Sequence, residues 1–173
     1  MNNGKPTYIT GRHYMMLQWS KLDIGYPYFL EFQQRLFIHQ KACEVDPRSM
    51  GQIYTKCRRS GYTNMSAAVL LDEATQVKDK LLGLQSKTGK DAQENIFMKK
   101  VVYMFKTYPF FFKPIQDGTT NPRVELAFRE PSKRITKNNK TSSKGEALNT
   151  IINWKNTTNN AYDGEKLHMM YLD

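Results

Sequence analysis

Three cations, a glycine and three hydroxyls fall within one short stretch, residues 56–63, reading KCRRSGYT. Holding a nucleoside triphosphate takes three things at its phosphates. Backbone N–H groups must point at them, which favours glycine, a cation must neutralise the β and γ oxygens, and a hydroxyl must hold Mg²⁺. Gly61 can supply the turn, with Ser60 and Tyr62 on either side of it, and Thr63 sits where the Mg²⁺ hydroxyl belongs. The pattern GxxxxGK[ST] is not met. Tyr62 stands where its lysine is expected, and Lys56 stands where its first glycine is expected. From the end of a strand, Lys56 is placed to swing across the loop and reach the phosphates from the other side. Arg58 and Arg59 add two more cations, either of which could face the γ-phosphate. The plain alternative is an ordinary strand–turn–helix with basic surface residues.

Two further groups bear on the same chemistry. The run 167–173, LHMMYLD, is mostly apolar and ends in Asp173. A buried strand that delivers an aspartate to the sheet edge can hold Mg²⁺ through water. Upstream, Phe32 and Gln33 lie in a helical stretch. A glutamine there can hydrogen-bond the edges of adenine while an aromatic ring stacks. Gln34 is the neighbouring alternative, and a glutamine merely on a helix surface is the plain one.

These groups need elements to position them. Residues 1–26 read as a lead-in, within which 12–24 fit either helix or strand. From 28 to about 45 the apolar spacing is helical, and Asp46-Pro47 ends it. A short strand is expected at 52–55, then the loop, then a helix over 63–74 with Met65, Ala68, Val69 and Leu71 facing inward. A strand at 80–84 and a helix over 91–105, capped near Asp91, follow. The run Phe110, Phe111, Phe112, between two prolines, reads as core or as a wall under a loop. Strands are expected at 124–128, 148–154 and 167–173, with turn chemistry at 156–164. Strands interleaved with helices indicate an α/β fold, a partly parallel sheet with flanking helices.

Bulk properties narrow the classes. The chain has 173 residues, enough for about one domain, with 39% hydrophobic and 12% aromatic residues. No apolar run approaches the ~20 residues that span a bilayer. The N-terminus has no apolar signal segment, so a cytoplasmic location is the default. Cys43 and Cys57 read as two buried thiols, and His13, His39 and His168 are too scattered for a zinc site. A net charge of +10 and a pI near 9.6 suit a polyanion partner, nucleic acid first. The stretch 131–145 carries Lys133, Arg134, Lys137, Lys140 and Lys144 with no acid. It is either a solvated loop or a contact to a phosphate backbone.

With lysine at its start and tyrosine before its hydroxyl, KCRRSGYT resembles the deviant Walker A loop of tailed-phage terminase large subunits. The stretches GRHYMMLQWSKLDI, PYFLEFQQRLF and LNTIINWKNTTNNAYDG, and the Walker B-like end at Asp173, are also similar to that family. The resemblance implies a P-loop NTPase of the additional-strand type over 27–173, part of an ATPase that packages double-stranded DNA into a capsid. It implies ATP and Mg²⁺ as cofactors, Lys56 as the phosphate-binding lysine, Thr63 and Asp173 at the metal, and Arg58 or Arg59 as γ-phosphate sensor. Double-stranded DNA, a portal protein, a small terminase subunit and a homo-oligomeric ring on the capsid are the implied partners, with no membrane. The implied location is the cytoplasm of a bacterial host. The family's catalytic glutamate, coupling motif and nuclease domain would follow Asp173, so the expectation is the front part of a longer protein, slow to hydrolyse ATP alone. A helicase-type ATPase and a non-enzymatic basic nucleic-acid-binding module are the competing readings.

Overall fold

The computed structural model describes residue 4 and residues 6–130, 147–158 and 160–173. Four strands form one sheet, β1 (Leu81–Ser86), β2 (Glu125–Phe128), β3 (Thr150–Asn156) and β4 (Met169–Leu172), in the order β2-β3-β1-β4. β1 runs parallel to both β3 and β4, and β2 runs antiparallel to β3. The expected α/β fold with a partly parallel sheet and flanking helices is therefore present. No helix among the described residues is long and apolar enough to cross a membrane.

Register fixes which side chains share a face. Leu82 pairs with Ile152 and Met169, Leu84 with Trp154 and Tyr171, and Leu126 with Ile152. These side chains join the buried residues of the helices in one core. The opposite face carries Gly83, where an added β-carbon would come within 2.9 Å of the Tyr162 ring. The Tyr162 hydroxyl accepts from the Leu84 N–H at 3.1 Å and donates to Asn153 Oδ1 at 2.8 Å. The missing side chain at 83 thus lets the turn-rich segment after β3 lie flat on the sheet.

The helices are α1 (Gly11–Trp19), α2 (Glu31–Val45), α3 (Tyr62–Gln76), α4 (Asp91–Val102) and α5 (Tyr103–Thr107), which continues α4. The residues buried in α3 run almost unbroken from Met65 to Ala74, and the single inward face expected from sequence is too narrow. A helix apolar on nearly every side must be packed on nearly every side. α3 meets the sheet through β3 and β4, and α1 and α4 on its flanks.

α4 is wound as a π-helix. Its buried residues are Ala92, Ile96, Phe97, Val101 and Val102, so 92, 97 and 102, and again 96 and 101, repeat at intervals of five. That matches i→i+5 hydrogen bonding and would drift around an α-helix. The expected cap near Asp91 is a reciprocal pair. The Asp91 N–H donates to Thr88 Oγ1 at 3.1 Å, and that hydroxyl donates to Asp91 Oδ2 at 2.7 Å.

Three local expectations need correction. Residues 52–55 pair with no strand among the described residues, and Ile53 is 98% exposed there, because a single aliphatic side chain with no buried alternate cannot recruit a segment into a sheet. Cys57 is exposed and Cys43 half-buried, so the pair is not two buried thiols. Of the aromatic run only Phe112 packs against the core; Phe110 and Phe111 face solvent.

α1 is capped by Thr10, whose side chain accepts from the His13 N–H. The His13 ring is fully buried, stacked 4.7 Å from Phe37 and 5.6 Å from Phe29. Neither ring nitrogen has a hydrogen-bond partner among the described residues. Burial therefore holds its pKa below the usual value. The unfolded chain takes up a proton near pH ~6.5 and the folded chain only at lower pH, so acid weakens the fold through this residue. Between pH 7 and 5.5, the urea midpoint of the wild-type chain is expected to fall further than that of His13→Phe. Equal slopes would remove His13 from the account.

Candidate phosphate site at the start of α3

The N-terminus of α3 lies at the edge where the parallel strands end. In open α/β sheets that edge forms the ligand crevice. Alternation along β4 turns Asp173 to the same side as Tyr171, toward α3. There its Oδ1 meets three groups: Lys56 Nζ at 3.6 Å, Thr63 Oγ1 at 3.5 Å and the Tyr171 hydroxyl at 2.9 Å. Loop, helix and strand end are thus brought together across 110 residues of sequence between Thr63 and Asp173.

The loop reaches α3 through two left-handed residues, Arg59 (φ 66°) and Gly61 (φ 74°). Gly61 is the N-cap of α3. A side chain there would be strained by the backbone, and its β-carbon would come to 3.1 Å from Gln33 Nε2. Gln33 is 3% exposed, and its Oε1 has no hydrogen-bond partner among the described residues. Sequence left Gln33 and Gln34 as alternatives. Gln33 backs the loop, whereas Gln34 donates to the Tyr8 carbonyl. Phe32 is 43% exposed on α2 and is not among the residues that line the cavity beside the loop.

A cavity of about 270 Å³ opens beside the loop, lined by residues 59–64 with Lys56 and Lys100. That is just below the ~300–1,000 Å³ of pockets for drug-sized ligands, and suits a phosphate tail better than a whole nucleotide. Its charged lining groups are Lys56, Arg59 and Lys100, with no carboxylate among them. Arg59 is therefore the loop arginine at the cavity, and Arg58 is exposed outside its lining. The partial positive charge of the α3 N-terminus adds to the three cations.

Tyr62, in the place of the expected lysine, acts as a wall. Its ring centre lies 5.4 Å from that of Tyr54 and 6.1 Å from that of Tyr171, with Lys56 Nζ 5.8 Å away. Such packing restricts the long lysine and adds a cation–π attraction. Burial raises the Tyr62 phenol above its usual pKa, and Asp173 adds to the shift while a hydrogen bond from Ser66 opposes it. Tyr171 is raised by burial too, its bond to Asp173 contributing. Both stay neutral, and the Tyr171 hydroxyl donates to the carboxylate.

A larger cavity, about 450 Å³, lies between α1, α2 and α3. It carries Glu44, Asp72 and Glu73 around Arg12, which pairs with Glu44 at 2.9 Å and also contacts Glu73. Burial raises the Asp72 carboxyl, against the pull of Arg12. Three carboxylates make this cavity a poor place for phosphate, so its size does not outweigh the charge at the smaller one.

Sequence reading missed Lys100, Asn64, Tyr54 and Tyr171. Lys100 lies on α4, and its Nζ donates to Asn64 Oδ1 at 2.5 Å. No local motif links residues 36 apart. The basic residues Lys133, Arg134, Lys137, Lys140 and Lys144 lie outside the described residues. No protein-family model and no curated protein matches the chain.

Proposed function

We propose that residues 56–63 and Asp173 bind the phosphates of Mg²⁺·ATP. We further propose that the chain is the N-terminal ATPase part of a phage terminase large subunit, a P-loop NTPase of the additional-strand type. The observation that carries the reading is the meeting of Lys56, Thr63 and Asp173 at the N-terminus of α3.

In this reading the Lys56 and Arg59 side chains and the N–H groups at the start of α3 neutralise the phosphates. Thr63 Oγ1 and Asp173 Oδ1 are hard oxygen donors 3.5 Å apart, the donor type that Mg²⁺ takes alongside phosphate oxygens. Mg²⁺, when bound, offsets the charge of the β and γ oxygens. Gln33, buried behind Gly61, keeps an unpartnered amide oxygen, the group that would meet a base edge in this reading. Hydrolysis needs a group to activate water, and no Asp, Glu or His among the described residues lines the cavity. The proposal for these residues is therefore binding, with hydrolysis and the packaging of double-stranded DNA assigned to the whole motor. Its proposed setting is a ring on the capsid with portal and small-subunit partners.

Calorimetric titration with ATP tests the reading. Binding is expected with Mg²⁺ and should weaken at least tenfold with the metal chelated. Absence of binding in both conditions would reject the site. Equal binding in both would remove Thr63 and Asp173 from it.

A further inference from the structure

We infer that Lys100 is a second phosphate-binding lysine of this site, held by Asn64 until a polyphosphate takes it over. The inference rests on the reading of the loop as a phosphate site.

Lys56 and Lys100 line one cavity but differ in their partners. The Lys56 ammonium lies 3.6 Å from the Asp173 carboxylate. Lys100 has no carboxylate within ion-pair distance among the described residues, and its partner is the neutral Asn64 amide oxygen at 2.5 Å. Its neighbour Lys99 turns the other way, to Asn95 one turn back on the same helix at 3.0 Å, as an exposed lysine commonly does. Lys100 instead crosses to the first turn of α3.

That position is electrostatically unfavourable in the free protein. A helix N-terminus carries partial positive charge, and cations there are destabilising. Arg59 and Lys56 line the same space, and the carboxylate beside it, Asp173, is taken up by Lys56, Thr63 and Tyr171. A cation in such a place is balanced when an anion with several charges enters. Behind the loop, the 3%-exposed Gln33 keeps an unpartnered amide oxygen, a second polar group not satisfied by the protein alone. The chemistry that fits is the terminal part of a nucleoside polyphosphate. Lysine is a point charge with three rotatable donors, so the ammonium can exchange Asn64 Oδ1 for a phosphate oxygen while keeping its proton.

The probe is inorganic tripolyphosphate, which has the charges and no base, titrated calorimetrically into the full chain. Lys100→Ala and Lys100→Gln are expected to weaken its binding roughly 10- to 100-fold, as for the loss of one charge-assisted hydrogen bond. Asn64→Ala, which releases the ammonium, should tighten it. A merely structural Lys100–Asn64 bond would make Asn64→Ala and the Lys100 variants lose binding and thermal stability alike, and would overturn the inference. So would Lys100 variants that bind as the wild type does. If Lys56→Ala abolishes binding in that second case, the loop reading stands and only Lys100 is removed. Failure of the wild-type chain to bind either tripolyphosphate or Mg²⁺·ATP would reject the loop reading and this inference together.

Discussion

Lys56→Ala is expected to weaken Mg²⁺·ATP binding about a hundredfold or more while leaving the thermal midpoint nearly unchanged. The two halves of that expectation have separate causes. The Lys56 side chain is 37% exposed and its pairing with Asp173 is long, at 3.6 Å. A partly exposed ion pair of this kind contributes ~0–1 kcal/mol to folding. In the bound state the same ammonium would meet phosphate oxygens carrying several charges, where one charge-assisted hydrogen bond is worth ~1.5–3 kcal/mol. The substitution also leaves Asp173 without its cation, so that its negative charge would act on the incoming phosphates. Lys56→Arg should recover binding only in part, because the planar guanidinium must fit against the Tyr62 ring. Calorimetry and a thermal melt on the same samples separate the two halves. Unchanged binding in Lys56→Ala, with the fold intact, would remove Lys56 from the site, whereas no ATP binding by the wild-type chain would point to the basic, non-enzymatic reading.

The largest expected effect on stability is at Phe97. Its side chain is fully buried on α4, where the interval-of-five spacing aims it at the core. Truncation to alanine removes the ring's burial and leaves a cavity bounded by α3 and the sheet, which α4 contacts on both sides. Such changes cost about 3–5 kcal/mol, against a total of ~5–15 kcal/mol for a whole domain. Urea denaturation of Phe97→Ala should show that loss, and Phe97→Leu, which keeps most of the volume, a smaller one. Because α4 also carries Lys100, the variant's phosphate affinity should fall with its stability. A loss under about 1 kcal/mol would mean that α4 is not wound and packed as described.

The residues that carry the site were legible in sequence to the extent that their neighbours in the chain define them. The Gly61 turn, the hydroxyl of Thr63 at a helix start and the carboxylate of Asp173 after an apolar run each follow from local pattern. What local pattern could not supply was pairing. Residues 52–55 have strand-like types, yet strand formation needs a partner, and among the described residues β4 is hydrogen-bonded on the side of β1 alone. The π-winding of α4 was present in the spacing of Ala92, Phe97 and Val102, but a search for 3.6-residue periods passes over it. Lys100 reaches the loop from another helix, so only the folded chain shows it there, and the folded chain likewise separates Gln33 from Gln34. The choice between Arg58 and Arg59 likewise depended on the left-handed turn at Arg59, which no residue type at that position signals.

The central claim is that the loop at 56–63 with Asp173 holds nucleotide phosphates. The most direct measurement is a crystal structure of the chain with Mg²⁺ and a slowly hydrolysed ATP analogue. The account predicts the terminal phosphates within hydrogen-bond distance of Lys56 Nζ and of backbone N–H groups at the start of α3, with the metal between Thr63 Oγ1 and Asp173. A nucleotide seated in the larger cavity around Arg12, or phosphates pointing away from Gly61, would contradict it.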